Sequence, residues 1–251
     1  MDFNNKVILI TGASTGIGKA IAEKLLGVNC NLVLTARRQE MIEEYVNQSQ
    51  NKANIPLILK NDVSKKEDAA EAYKKIIEKF GRIDIAILNA GVGFHVKVEE
   101  YNSIFADQTF GTNLLGVVYW VEQLLPEFIK RKGGIIAGVS SLADNRGYGG
   151  FYSSSKAALT NYLEGLSVEL KNHGVKVITV RPGFVDTPIN SKNNYKMPFM
   201  INAEKAAEII LAGIEKEKRL IQFPRQMVWI TKLIGALPGS LYELLASKKV
   251  K

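Results

Sequence analysis

Short runs of aliphatic and β-branched residues alternate with longer segments of helical periodicity along most of this chain. In the first run, 7–11, successive rather than alternate residues are apolar, which is typical of a strand buried on both faces. Between the runs, apolar residues recur at helical spacing, as expected for helices that cover such a sheet. The predicted strands are 7–11, 31–36, 56–60, 84–89, 134–139, 175–181 and 219–223.

Helical segments connect these strands, and such connections produce parallel neighbours. The sequence therefore predicts an α/β fold with a doubly wound, Rossmann-type seven-stranded parallel sheet and helices on both faces. We expect a single domain, 1–251, in which 1–223 form the core and 224–251 form a C-terminal amphipathic extension. The clearest helical segments, each with the glycine expected to stop it, are 17–28 (Gly27), 65–80 (Gly81) and 154–173 (Gly174).

The composition excludes several classes of protein. Hydrophobic residues make up 46% and charged residues 23%, which allows a sizeable core and argues against disorder. The net charge is +8, but the lysines are dispersed and no aromatic-rich basic motif is present, so we expect no nucleic-acid partner. One cysteine, Cys30, allows no intrachain disulfide, and neither a leader nor a spanning segment is visible; we expect a cytoplasmic protein.

The first predicted strand runs into a glycine-rich turn and then directly into a helical segment. Gly12 permits a tight turn, Gly16 allows the backbone to approach a ligand, and Gly18 allows the helix to pack closely on the sheet. The unpaired amides of the helix N-terminus can hold a pyrophosphate, so this position predicts a dinucleotide site rather than an empty turn. The residues expected to line it are Gly12, Ser14, Thr15, Gly16, Ile17 and Gly18.

The end of the second strand indicates which dinucleotide binds. NAD sites usually have an acid there, which accepts hydrogen bonds from the ribose, whereas this chain has Ala36 followed by Arg37 and Arg38. An acid would repel a 2′-phosphate, but a guanidinium can pair with it bidentately. The alternative is that the two arginines only begin a solvent-exposed helix. We expect NADP(H), with Arg37 as the phosphate ligand.

Polar and glycine motifs also follow the later strands. They are Asn89-Ala90-Gly91, Asn113, Ser140-Ser141, the segment from Tyr152 to Lys156, and 181–187. Together with the glycine turn, and in this order, they resemble the short-chain dehydrogenase/reductase family over about residues 5–225. The resemblance implies an oxidoreductase that transfers a hydride between the nicotinamide and a carbonyl or secondary alcohol.

The same resemblance implies roles for individual residues. Tyr152 would supply the acid/base proton, and Lys156 would hold the ribose and lower the pKa of the tyrosine. Ser141 would bind the substrate oxygen, and Asn113 would support a water-linked proton path. Implied cofactor contacts are Asp62 and Val63 near the adenine, Asn89 and Gly91 along the cleft, and Val185 and Thr187 at the carboxamide.

Physical chemistry favours the same pair of side chains. Tyr152 and Lys156 are four residues apart, so they share one face of a helix. A phenol is a poor base at neutral pH, and a fixed ammonium nearby favours the phenolate. The alternative is a core tyrosine beside an exposed lysine; the glycine turn and Asn113 favour the catalytic interpretation.

The choice of serine stays open between two neighbours. A serine hydroxyl can donate to the developing oxyanion, or it can cap the backbone of a turn. The segment between Ser141 and Tyr152 is shorter than the resemblance leads us to expect, so Ser140 is the alternative to our assignment of Ser141. After the sixth strand, Pro182 fixes the chain direction and Gly183 is expected to allow close approach to the nicotinamide.

Substrate and partners are less constrained. Loops 91–96, 144–150 and 188–202 are expected to contact the substrate, and the apolar residues of the last loop favour an apolar carbonyl or alcohol. The resemblance implies a homodimer or homotetramer formed through the helices around Asn113 and Tyr152. The two histidines, His95 and His173, are far apart in sequence, and no metal site is expected.

Two alternatives remain. The extension 224–251 is expected to close an apolar flank or an oligomer interface, and contact with a membrane surface is the alternative. For the whole chain, the alternative to an enzyme is a protein that senses NADP(H) without turnover. Retention of Asn113, Ser141, Tyr152 and Lys156 favours the enzyme.

Overall fold

Seven parallel strands form one sheet. The computed structural model describes residues 2–94, 96–147, 150–190 and 197–247. The strands are β1 (Val7–Thr11), β2 (Asn31–Ala36), β3 (Leu57–Lys60), β4 (Ile85–Leu88), β5 (Gly134–Val139), β6 (Val175–Pro182) and β7 (Leu220–Phe223). They pair in the order β3-β2-β1-β4-β5-β6-β7, which confirms the predicted seven-stranded parallel sheet.

Helices connect the strands and extend beyond the last one. They are α1 (Gly16–Leu26), α2 (Gln39–Gln48), α3 (Lys66–Phe80), α4 (Ile104–Phe110), α5 (Gly116–Lys130), α6 (Phe151–Glu169), α7 (Ala203–Glu215), α8 (Arg225–Ala236) and α9 (Gly239–Ser247). A π-helical turn, Gly111–Leu115, joins α4 to α5. Short 3₁₀ helices lie at Val98–Glu100, Leu142–Asn145 and Leu170–His173.

Both faces of the sheet are covered by helices. On one face α1, α2 and α7 pack against Ile8 and Ile10 of β1. On the other face α3, α5 and α6 pack against Val7 and Leu9 of the same strand. Every residue of β1 is therefore buried, which explains why the run is apolar at successive positions.

The predicted bounds of the elements are close to those observed. β1, β2 and β5 have the predicted ends, and β3 begins one residue late, after Pro56, which has no N–H to donate. Gly81 and Gly174 end their helices with left-handed backbone, φ 74° and 71°. Gly27 also follows its helix, but its φ is −82°, a value open to other residues, and a Cβ there would meet only the amide end of the exposed Asn51 side chain.

The C-terminal extension leaves most of its apolar side chains exposed. In α8 only Met227 is buried, whereas Trp229 is 65% and Leu233 68% exposed. Of the α8 side chains, only Met227 is buried against its own chain, as expected for a segment that closes an apolar flank. Among the described residues, no helix has the length and apolar character needed to cross a bilayer.

One side chain ties the extension to the rest of the fold. Arg146 follows the 3₁₀ helix Leu142–Asn145 and donates to the carbonyl oxygens of Ile234, at 3.3 Å, and Leu237. Its guanidinium also stacks over the ring of Tyr242, 5.0 Å from the centroid. A cation at these carbonyls satisfies the C-terminal end of α8, so the extension packs beside the segment that follows Ser141.

Candidate active site

The candidate site lies at the carboxyl ends of the central strands. From β1 the chain moves outward through β2 and β3, then returns to place β4 on the other side of β1. Loops from β1 and β4 therefore leave in opposite directions and open a crevice, which is where open α/β sheets bind ligands. The glycine turn follows β1, and Asn89 follows β4 at this point.

Close packing explains the glycines of the turn. Gly12 has φ +69°, and a Cβ there would come 2.8 Å from Cα of Ala90. A Cβ on Gly18 would overlap the carbonyl oxygen of Gly12, so α1 packs directly on the turn as predicted. Gly16 has φ +58° and faces the Thr187 side chain, with Cγ2 3.0 Å from the position of a Cβ.

Side chains from other elements hold the turn in place. The amide of Asn89 donates to the carbonyl oxygens of Thr11, at 3.1 Å, and Gly12, at 3.3 Å. Tyr45 of α2 donates its hydroxyl to the carbonyl of Ala13 at 3.1 Å, a contact that the sequence did not suggest. Thr15 precedes α1 but makes no side-chain cap, so the first amides of that helix are left to other partners. Of the remaining predicted residues, Ser14 is buried and Ile17 packs on the core.

The adenine end of the predicted cofactor site lies at the ends of β2 and β3. Arg37 is exposed there, and Ala36 pairs in register with Lys60. Arg37, Lys60 and Asp62 line one groove of about 620 Å³. Val63, which was also expected near the adenine, is buried because Gly116 packs directly against its side chain.

Tyr152 and Lys156 share one face of α6, beside the crevice. Lys156 is only 3% exposed, and its ammonium donates to the carbonyl of Val139 at 2.8 Å. It lies 5.8 Å from the centroid of the Tyr152 ring. Burial lowers the pKa of Lys156 to about 8, against the opposing effect of the Asp144 carboxylate. The alternative of an exposed lysine does not hold.

Two glycines let the β4 loop approach this pair. A Cβ on Gly91 would lie 3.3 Å from Oδ1 of Asn113 and 3.4 Å from the Lys156 ammonium. A Cβ on Gly93 would lie 3.3 Å from the Tyr152 ring and 3.5 Å from Ile189. The structure therefore brings Gly91, Asn113 and the tyrosine–lysine pair together, with Ile189 on the apolar side.

Asn113 is fully buried in the π-helical turn. Its amide group donates to the carbonyl of Val92 at 3.0 Å and to the Ser155 hydroxyl at 2.9 Å, and its Oδ1 accepts from the Val92 amide at 2.8 Å. These bonds fix the loop after β4 to the helix that carries the tyrosine. Ser155 was not predicted as a site residue, although its place one residue before Lys156 is a weak signal.

The two serines after β5 have different environments. Ser140 donates to the carbonyl of Lys156 at 2.9 Å and lies 2.7 Å from the Thr160 hydroxyl, so it ties β5 to α6. Ser141 accepts from the Ala143 amide at 3.1 Å and caps the 3₁₀ helix. That contact uses a lone pair of Ser141 rather than its proton. The capping role is therefore observed, and it is compatible with donation to a substrate.

At the end of β6, Gly183 has a structural reason that differs from the predicted one. A Cβ on Gly183 would meet Pro224 at 3.0 Å and the carbonyl of Phe223 at 3.3 Å, so glycine is required by packing against the end of β7. Pro182 is the last residue of β6. Val185 is buried, and Thr187 donates to its carbonyl at 3.2 Å, which leaves the Thr187 side chain against Gly16.

Parts of the predicted substrate loops fall outside the described residues: His95, 148–149 and 191–196. Aromatic side chains in the first loop and in the neighbouring segments pack in pairs. Phe94 packs on Phe105 and Tyr101 on Phe151, with centroids 5.2 and 5.3 Å apart. Among the described residues, no group of His, Cys, Asp and Glu could hold a metal ion.

Known proteins resemble this chain in sequence and in fold. A family model described as short chain dehydrogenase matches residues 6–198. An oxidoreductase of Myxococcus xanthus is 30% identical over 98% of this chain and 98% of its own. The solved structure of an alcohol dehydrogenase from the archaeon Thermococcus sibiricus, complexed with 5-hydroxy-NADP, is 30% identical over 88% of this chain and 95% of that chain, with a TM-score of 0.77. A short-chain dehydrogenase/reductase from Burkholderia phymatum, in complex with NAD, has the same fold at 23% identity over 93% of this chain and 94% of that chain, with a TM-score of 0.83.

Proposed function

Because the chain belongs to the short-chain dehydrogenase family of oxidoreductases, we propose that it transfers a hydride between NADP(H) and a carbonyl or secondary alcohol. The observation that carries this proposal is the buried Lys156 ammonium, held one helical turn from Tyr152 beside Gly91 and Asn113. Burial of a lysine ammonium is energetically unfavourable, and such groups are frequent at functional sites. Action on the Tyr152 phenol and on a bound ribose would account for the burial of Lys156.

The glycine turn fits a dinucleotide. Gly12 and Gly16 adopt the positive φ that this tight turn needs, and the first turn of α1 is without a cap from Thr15. Such a turn can receive a pyrophosphate on backbone amides, and the helix dipole favours its charge. When bound, the cofactor supplies or accepts the hydride. Asn89 would keep the turn in shape by its bonds to Thr11 and Gly12.

Tyr152 acts on the substrate oxygen in this proposal. In the reductive direction its phenol gives a proton to the oxygen; in the oxidative direction the phenolate takes the proton back. The Lys156 ammonium favours the phenolate through its charge, and its bond to Val139 fixes its position. Asn113 holds the loop after β4 against α6 through its hydrogen bonds to Val92 and Ser155. From this fixed position it would support the proposed proton path.

We assign the oxyanion contact to Ser141. The Ser140 hydroxyl donates to the Lys156 carbonyl, whereas the bond that Ser141 accepts from Ala143 leaves its proton to a substrate oxygen. Donation to a developing negative charge stabilises the transition state more than the ground state. The apolar surroundings of Gly93 and Ile189 support an apolar substrate.

NADP(H) rather than NAD(H) is proposed for reasons of charge. Ala36 takes the position of the usual acid, and Arg37 and Lys60 line the same groove at the adenine end. The same groove also contains Asp62, Asp68 and Glu71, so the choice rests on Arg37 beside a position that has no acid, which favours a 2′-phosphate. The complex of the Thermococcus relative with 5-hydroxy-NADP supports this choice.

For the nicotinamide end of the cofactor, we propose contacts from Pro182, Gly183, Val185 and Thr187.

We also propose one domain and a homo-oligomer. Large apolar side chains of the described chain are exposed in or next to several helices: Leu115, Ile129 and Val168 in or next to α5 and α6, and Trp229 and Leu233 in α8. A second copy would remove such surfaces from water. Attachment of α8 to a membrane surface remains the alternative, which sedimentation with lipid vesicles would reveal.

The test of the proposed function is Tyr152→Phe. Since general acid–base catalysis contributes about 10²- to 10⁴-fold, we expect kcat/KM on a confirmed carbonyl substrate to fall by about that factor. Binding of NADPH, measured by its fluorescence, should change little. Unchanged turnover in the variant would remove the proposed acid. Tight NADPH binding without turnover of any carbonyl or alcohol by the parent protein would instead favour a redox sensor.

A further inference from the structure

The 3₁₀ helix that follows Ser141 carries a carboxylate to which the proposed chemistry gives no role. Asp144 lies in this helix, Leu142–Asn145, and its side chain is only 2% exposed. A carboxylate is expensive to bury unless partners satisfy its charge and its lone pairs. The identity of those partners therefore indicates what the carboxylate holds together.

Two other elements supply the partners of Asp144. Arg181 of β6 donates from its guanidinium to Oδ1 of Asp144, and also to Oδ1 of Asn145 at 2.7 Å. Thr160 of α6 donates its hydroxyl to Oδ2 at 2.6 Å. One carboxylate thus joins the segment after β5 to the end of β6 and to the helix that carries Tyr152.

Hydrogen bonds continue from Asp144 to the proposed catalytic groups. The Thr160 hydroxyl gives its proton to Asp144 and so accepts from Ser140, 2.7 Å away; Ser140 shares its single proton between Thr160 and the backbone carbonyl of Lys156, which is at 2.9 Å. In the other direction, Asp144 and the capping residue Ser141 belong to the same short helical turn, and the Asp144 amide donates to the Ser141 carbonyl at 3.3 Å. The carboxylate is therefore connected both to the proposed oxyanion donor and to the backbone of the lysine.

Charge adds a second link. Burial lowers the pKa of Lys156, and the Asp144 carboxylate acts in the opposite direction, in favour of the ammonium. Among the described residues, the other charged or titratable groups that the contacts place next to these two are Tyr152, one helical turn before Lys156, and Arg181, which contacts the carboxylate from β6. Asp144 therefore pairs with the Arg181 guanidinium directly and acts on the Lys156 ammonium through its charge.

We propose that Asp144 is a positioning residue of this active site: it fixes Ser141 and the backbone of Lys156 relative to the end of β6, and its negative charge acts on the Lys156 ammonium. The inference rests on the proposed function, in which Ser141 contacts the substrate oxygen and Lys156 acts on Tyr152. It differs from a purely structural ion pair in one respect, since a structural pair would have no effect on the protonation of Lys156.

The test begins with Asp144→Asn in the cofactor-free protein. Lysine side-chain NMR, with the Lys156 signal identified by its loss in Lys156→Met, should show Lys156 titrating at lower pH in Asp144→Asn than in the parent. In turnover, kcat/KM should fall by about 100-fold, the size expected for a misplaced catalytic group. The alkaline limb of its pH profile should move to lower pH, because the ammonium is lost earlier.

Two further variants separate charge from position. Asp144→Glu keeps the charge on a longer side chain, so kcat/KM should fall while the titration of Lys156 stays near that of the parent. Glu164→Gln is the matched control, because Glu164 is exposed on α6, the helix that carries Lys156, and pairs with Arg219 at 3.6 Å. Glu164→Gln should change neither the titration of Lys156 nor kcat/KM.

The outcomes are distinguishable. Identical titration of Lys156 in Asp144→Asn and the parent would overturn the proposal. If Asp144→Asn does not fold, Thr160→Val breaks the path while keeping the charge, so the rate should fall and the alkaline limb should stay; an unchanged rate would overturn the positioning role. Absence of turnover by the parent protein would contradict the proposed function. The NMR titration would still show whether Asp144 affects the protonation of Lys156.

Discussion

The side chain of Lys156 illustrates how burial shapes chemistry at the scale of a single residue. Its stem lies in α6 and its ammonium reaches the carbonyl of Val139 at the end of β5. Burial disfavours the charged form, so the pKa of Lys156 falls from its ordinary value of 10.5 to about 8. At neutral pH the ammonium is still the main form, which is what the proposed action on Tyr152 requires.

This shift predicts a pH dependence of stability. The folded-state pKa of Lys156 lies below the unfolded value, so between about pH 8 and 10.5 the unfolded chain binds more protons, and the free energy of unfolding rises with pH. We expect a contribution of about 1.4 kcal/mol per pH unit in this window. Urea denaturation of the parent and of Lys156→Met at about pH 7.5 and about pH 9.5 measures it.

The difference between the two proteins is the quantity to follow. Burial raises the pKa of Cys30 to about 11, and the pKa of Tyr45 is raised as well, mainly by burial; both effects lower stability at alkaline pH, but they are common to both proteins. The stability of the parent relative to Lys156→Met should therefore increase across the window. Parallel pH profiles would contradict a depressed pKa for Lys156.

Arg37 carries the second prediction at this scale. In Arg37→Asp the proposed phosphate ligand is replaced by an acid, with loss of charge-assisted hydrogen bonds worth about 1.5–3 kcal/mol. The KM for NADPH should rise by roughly 10- to 100-fold, while that for NADH should change little. Arg38→Asp is the matched control. Equal losses for both cofactors in Arg37→Asp would argue against the assignment.

At the scale of elements, the site depends on close contacts between backbones. α1 packs on the glycine turn at Gly18, and α5 packs on the end of β3 at Gly116, where a Cβ would come 2.9 Å from Val63. The π-helical turn places Asn113 against the loop after β4. Each of these contacts aligns a helix end with the crevice, so the elements that bind and those that catalyse are held in one arrangement.

Gly18→Ala tests the packing of α1. The added methyl group would overlap the Gly12 carbonyl, which can yield only if the helix or the turn moves, so we expect a loss of about 1–3 kcal/mol in the free energy of unfolding. Weaker NADPH binding should accompany it, because the turn is displaced. Both are measured by urea denaturation and by fluorescence titration.

Gly165→Ala is the control for this prediction. Gly165 is exposed in the middle of α6, and an added methyl group there would have nothing within 4 Å. Alanine is the better helix former, so this variant should gain about 0.5–1 kcal/mol. Equal effects of the two substitutions would show that Gly18 is not sterically constrained.

At the scale of the whole molecule, the exposed apolar surfaces predict assembly. Val168 of α6 is 65% exposed, as is Trp229 of α8, and neither position needs an apolar residue in a single chain. We expect light scattering to give a mass of two or four chains. Val168→Glu should lower that mass, because a charge would be buried at the interface between copies.

Two companion variants localise the interface. Leu233→Glu tests the surface on α8, and Ile55→Glu, at a residue that is 86% exposed in the loop before β3, is the control. If only the pair of helices α5 and α6 joins the copies, Leu233→Glu should leave the mass unchanged. A monomeric parent protein would contradict the predicted assembly.

Sequence reasoning was most successful where a local pattern has a direct physical cause. The strands were found because a strand covered on both faces must be apolar at every position, as in β1. It did not anticipate the packing of Gly183 on the end of β7, and it left open whether the apolar residues of α8 are buried in their own chain or exposed for a partner. Both depend on neighbours that are supplied by distant parts of the chain.

The amino-acid sequence by itself determined the order of strands and helices, the glycine turn, and the placement of Tyr152 and Lys156 on one helical face, because periodicity and backbone freedom are local properties. Only the tertiary structure decided that Asn113 meets Ser155, that Lys156 meets Val139, and that Asp144 meets Arg181. These contacts join residues far apart in the sequence, and their geometry follows from how helices pack on the sheet, which no local pattern encodes.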